Sequence, residues 1–70
     1  MTAFDPITTA QYSALEKHRE AQREVELRKS VYERLIMMGT MSRSEAERKI
    51  AIMQEISDEY ERASEKERLL

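Results

Sequence analysis

The chain has a single glycine, at position 39, with long stretches free of helix breakers on either side of it. That placement constrains the fold more than any other feature. Gly39 ends an apolar-periodic run and fits the position just past a helix end. There the backbone turns left-handed, and glycine does so without a Cβ penalty. Shortly afterwards Ser42 fits the N-cap of a second helix, and Glu45 completes the Ser-x-x-Glu form of a capping box. Met41 and Ala46 take the places of a hydrophobic staple across that start. A stop and a start so close together make the two helices antiparallel neighbours. The expected fold is all-α: an antiparallel two-helix hairpin, with a helix over about 8–38, a turn at 39–42 and a helix over about 43–66.

Two signals compete for the start of the first helix. Asp5-Pro6 reads as an N-cap followed by proline at the first helical position. Thr8 to Gln11 has the Thr-x-x-Gln form of a capping box. The start is expected within 6–10, and residues 1–5 read as a loose arm with Phe4 as an anchor. From there nothing breaks the helix before Met38, a length of roughly 42 Å.

Apolar spacing supports both helices. Leu27, Val31, Leu35 and Met38 form one stripe of the first helix, and Ala14, Ala21, Val25, Tyr32 and Ile36 form an adjoining one. Glu16, Arg19, Glu20, Arg23, Glu26 and Lys29 occupy the opposite side, spaced for ion pairs one turn apart. In the second helix Ala46, Ile50, Met53, Ser57 and Tyr60 form a stripe, widened by Ile52, Ile56 and Ala63. Ser64 to Arg68 is polar all round, so 65–70 is expected to fray.

The stripes are wider than a lone hairpin uses. Each helix of a hairpin has one neighbour, and one neighbour needs only a narrow apolar stripe. The chain has 70 residues and no cysteine, so it makes one small domain without disulfides or thiolate metal sites. Small folds of that kind gain stability from a partner chain. The expectation is a homo-oligomer, two hairpins pairing into a twofold four-helix bundle.

Charge and hydropathy exclude several classes. The formal net charge is −2, so no global basic field draws nucleic acid. No apolar run approaches the roughly 18 residues of a membrane span. The first residues lack the basic and apolar regions of a signal peptide, and the expected location is the cytoplasm.

Few residues suggest chemistry. His18 lies on the apolar stripe with Ala14, Ala21 and Val25, and reads as a half-buried histidine hydrogen-bonded across an interface. The Glu-x-x-His pairing of di-iron bundles is absent, because Leu15 stands where the glutamate would be. The paired carboxylates, such as Glu16 with Glu20, read as solvated helix faces. No catalytic, cofactor or metal residue is therefore expected. Arg28 and Lys49 project into the apolar arcs, where their stems can lie on apolar surface or their heads can pair with Glu24 or Glu55. Methionines 37, 38, 41 and 53 gather near the corner, mostly as core filling. Met37 falls outside the arc and is expected to be exposed.

The block running through Val31-Tyr32-Glu33-Arg34-Leu35-Ile36, Gly39-Thr40-Met41-Ser42, Glu45-Ala46 with Ile50, and Ile56 to Tyr60 resembles small helical-hairpin proteins encoded by phages and prophages of bacteria. Their corner reads Gly-Lys-Met-Ser/Thr, so Thr40 departs from it and weakens a basic tip. The resemblance covers about half the chain. It implies a bacterial or phage cytoplasmic origin and carries over no functional residues.

The functional expectation is a non-enzymatic protein–protein interaction module acting on a host or phage protein. Its binding surface would be the corner, with Arg34, Met37, Met41 and Arg43, together with the surplus apolar arc. The alternative is a nucleic-acid accessory protein using Arg28, Arg34, Arg43, Arg48 and Lys49, although no aromatic platform accompanies them.

Overall fold

The computed structural model describes residues 11–69. Two helices, α1 (Ala14–Met37) and α2 (Arg43–Leu69), pack against each other. The chain is an antiparallel helical hairpin, as expected. The arm at 1–5, the Phe4 anchor and the Asp5-Pro6 start lie outside the described residues, as does Thr8.

The first helix starts later than expected. Residues 11–13 are not helical, so a helix running unbroken from about residue 8 is corrected to one beginning at Ala14. The cause is a full capping box. Ser13 Oγ accepts from the Glu16 backbone N–H at 3.1 Å, and the Glu16 carboxylate accepts from the Ser13 N–H at 3.1 Å. Two orphan donors are satisfied reciprocally, which fixes the start.

At its far end α2 continues to Leu69, past the end near 66 expected from sequence. Glu67 Oε1 accepts from the Ala14 backbone N–H at 3.2 Å. This bond places a carboxylate at the positive end of α1, where an anion is favoured. The end of one helix therefore helps to cap the beginning of the other.

The corner follows the expected chemistry. Gly39 has φ of 81°. Its N–H donates to the Ile36 carbonyl at 3.0 Å and the Thr40 N–H to the Leu35 carbonyl at 3.0 Å. This pair of bonds is the Schellman motif. Thr40 Oγ1 adds a third bond to Leu35 O at 3.3 Å. Ser42 Oγ accepts from the Glu45 N–H at 3.1 Å. The Glu45 carboxylate does not complete the box but pairs with Lys49 Nζ at 3.5 Å.

Small residues form the seam between the helices. Ala14, Ala21, Val25, Ala46 and Ser57 are buried, with Val25 and Ser57 fully so. Short side chains let the two backbones approach, and longer ones flank them. The α1 stripe that turns inward is the one holding Ala14, Ala21 and Val25. The other α1 stripe stays largely outside: Leu27 is 56 % exposed and Met38 65 %.

Contacts across the seam define two broad faces. On one face Lys17 Nζ sits 5.7 Å from the Tyr60 ring centre and Arg28 Nη1 donates to the Lys49 carbonyl at 3.0 Å. On the other, Gln54 meets Gln22 at 3.1 Å and Arg43 meets Glu33 at 3.3 Å. At about 100° per residue, Val31, Leu35 and Met38 turn to the side of Arg28. Ile52, Ile56 and Ala63 likewise turn to the side of Lys49. The surplus apolar residues of both helices therefore share one face of the hairpin.

Candidate functional site

Two places concentrate side chains of interest: a polar cluster inside the seam and the exposed corner. The seam cluster is built from α1 and α2 together. His18 Nδ1 lies 3.0 Å from both the Ser57 carbonyl and Ser57 Oγ. A carbonyl only accepts, so Nδ1 carries the proton and donates. Ser57 Oγ in turn donates to Gln22 Oε1 at 3.0 Å. Gln54 Nε2 donates to Gln22 Oε1 at 3.1 Å and to Asp58 Oδ1 at 3.0 Å. On the far side of the imidazole, Nε2 stands 4.0 Å from the Glu61 carboxylate. The cross-interface hydrogen bond expected of His18 is present, and the interface is that between α1 and α2.

A serine, a histidine and a glutamate in a row invite comparison with a hydrolytic triad. The geometry runs the wrong way for one. A triad histidine receives the serine proton, whereas here the ring donates and the hydroxyl donates elsewhere. Ser57 is also fully buried, which leaves a substrate no approach. The network does satisfy its buried polar groups: among the described residues no buried side-chain N or O lacks a partner. What it does physically is fix register. Sliding α2 by one residue would leave Ser57, Gln22 and Gln54 without their partners, at a cost of about 1–3 kcal/mol per orphaned group.

Among the described residues no three His, Asp or Glu side chains converge to hold a metal ion. Two surface hollows of about 490 Å³ each lie along α1, one beside Tyr12, Glu16 and Lys17 and the other beside Arg23, Leu27 and Ser30. Neither takes a wall from α2. No described helix is long and apolar enough to cross a membrane.

At the corner, Met37 is 81 % exposed and its neighbour Met38 65 %. Met38 was expected to close the apolar stripe of α1, and it projects outward instead. Arg34 is exposed, and Arg43 is exposed with its guanidinium 3.3 Å from Glu33. Met41 is half-buried against the hairpin. The projecting thioethers are therefore Met37 and Met38, where the sequence pointed to Met37 and Met41.

The five cations of the nucleic-acid alternative do not make one surface. Arg28 is held by Glu24 at 3.1 Å and by the Lys49 carbonyl. Lys49 pairs with Glu45, not with the Glu55 considered from sequence. Arg43 is paired with Glu33. Arg34 stands half a turn from Val25 on α1, and Arg48 half a turn from Ser57 on α2. The two exposed arginines thus leave the hairpin from opposite sides.

Compared with known families, curated proteins and solved structures, the chain matches no family model and has no significant match among the other two. The geometry alone therefore carries the functional reading.

Proposed function

We propose that this chain is a non-enzymatic helical-hairpin interaction module that presents its corner to another protein. The observation carrying this reading is the adjacent pair Met37 and Met38, both exposed at the tip of a tightly bonded turn. Exposed thioethers adapt to an apolar pocket because each has several rotatable bonds and a polarisable sulfur. Held by the Schellman bonds, the turn loses little further freedom on docking, which reduces the entropic cost of association. Arg34, exposed in the last turn of α1, suits a pocket with an acidic rim, whereas Arg43 is already paired with Glu33. The phage and prophage resemblance suggests a phage or host protein as the partner. A nucleic-acid accessory role has weaker support, because its cations are paired or face apart.

Affinity capture from a bacterial lysate tests this reading, using the intact chain and a Met37→Glu, Met38→Glu variant. Both positions are exposed, so the variant should keep the helicity of the parent. The expected result is a discrete protein retained by the parent and reduced at least tenfold with the variant. Equal retention by both, or no discrete protein with either, would sink the corner as a docking site.

A further inference from the structure

We infer that Met37 and Met38 form a paired oxidation site, converted by peroxide to sulfoxides without loss of the fold, and that this conversion turns the corner from a docking surface into a non-docking one. The second half rests on the docking reading above. The first half stands without it.

The described methionines fall into two groups. Met37 is 81 % exposed and Met38 65 %, whereas Met41 and Met53 are half-buried. An oxidant must reach the sulfur lone pair, so exposure ranks the four. The chain has no cysteine, so no thiol of its own competes for the oxidant. The step needs only hydrogen peroxide. The sulfur lone pair attacks one peroxide oxygen, an S–O bond forms and the O–O bond breaks. The attacked oxygen gives its proton to the departing hydroxide, which leaves as water. Sulfur is oxidised by two electrons and the peroxide is reduced by two.

Neither thioether at the tip holds the fold. The corner is closed by backbone bonds: the Met38 N–H donates to the Arg34 carbonyl at 2.9 Å, and the Gly39 and Thr40 N–H groups donate to Ile36 and Leu35. An oxygen added to either sulfur leaves those bonds in place. The buried residues of the seam are Ala14, Ala21, Val25, Ala46 and Ser57, with no methionine among them. Oxidation at Met41 or Met53 would instead set a polar group against packed surface.

The change at the tip is large for its size. Two adjacent flexible apolar side chains become two polar, chiral ones. Each sulfoxide oxygen accepts hydrogen bonds from water, and an apolar pocket that suits a thioether offers no donor in exchange. Exposure also leaves both sulfoxides open to methionine sulfoxide reductases, which return them to thioethers.

Graded hydrogen peroxide on the intact chain, read by digestion and fragment mass spectrometry, tests the site. Met37 and Met38 should oxidise at least about threefold faster than Met41 and Met53, and in urea the difference should vanish. Circular dichroism should show parental helicity once the pair is oxidised. Met41 or Met53 keeping pace in the folded chain, or helicity lost as the pair oxidises, would overturn the site. The switch is read by affinity capture from bacterial lysate after the peroxide is removed. The oxidised chain should retain at least tenfold less of the protein held by the parent, and reductase treatment should restore it. Met37→Leu with Met38→Leu, which keeps apolar bulk without sulfur, should retain that protein equally before and after peroxide. Equal retention by the oxidised parent would overturn the switch and leave the docking reading standing. A parent that retains no discrete protein would remove the docking reading and the switch together, while the mass spectra still decide the oxidation site.

Discussion

Replacing Val25 by Asp is expected to unfold the hairpin at room temperature. Val25 has no exposed surface and sits at the middle of α1, facing α2. A carboxylate there would be buried without a cation built to receive it. An uncompensated buried charge costs about 3–5 kcal/mol, and the valine's own burial is lost as well. A chain of this size has only about 4–10 kcal/mol in hand. Circular dichroism of the variant should show most of the helical signal gone. Val25→Ala separates charge from volume: it should stay folded and lose about 1.5–2.5 kcal/mol. A Val25→Asp variant with parental helicity and melting temperature would mean that the seam between the helices is not where the structure places it.

Gly39→Val should have the second-largest effect. A Cβ at Gly39 meets nothing within 4 Å, so crowding is not the cause. The backbone is: φ of 81° lies in the left-handed region, which costs an ordinary residue about 1–2 kcal/mol and a β-branched one more. A loss of about 2 kcal/mol corresponds to a fall in melting temperature of roughly 8–16 °C for a domain of this size. Gly39→Asn should cost less, because asparagine tolerates this conformation better. Thermal melts of the three proteins should rank them glycine, asparagine, valine. An unchanged melting point for the valine variant would contradict the Schellman assignment.

The corner was legible because everything that makes it is local. Gly39, Ser42 and Glu45 announce a stop and a start within a few residues, and no distant contact is required. Ser13 and Glu16 carried an equally local signal. It was obscured by rival capping patterns at Asp5-Pro6 and at Thr8 with Gln11, which periodicity alone could not rank. The bond that the end of α2 makes to the start of α1 was not legible, because it joins Glu67 to Ala14 from 53 residues away. In isolation Glu67 is one more carboxylate in a polar stretch.

The apolar arcs were legible as arcs, but not in how they divide. Alanines at 14, 21 and 46 have modest hydropathy, yet their small size is what brings the helices together. Leu27, Val31 and Leu35 are more apolar and are left on the open face. Ser57 shows the same limit. Its place in the apolar stripe of α2 is plain from spacing, but its role depends on His18 and Gln22 from the other helix. Met38 was misplaced because the stripe it shares with Leu27 is the one α1 leaves on the open side; as the cap residue it still keeps helical geometry, with φ of −80° and ψ of −8°.

The register set by the seam positions everything else: the corner methionines at the tip and the surplus apolar residues of both helices on one face. Nuclear Overhauser contacts, isotope-filtered to keep only those within one chain, test it most directly. The account predicts contacts from the His18 imidazole to the Ser57 β-protons, and between the Gln22 and Gln54 side-chain amides. Contacts from His18 to residues a full turn away from Ser57, with none to Ser57 itself, would contradict it.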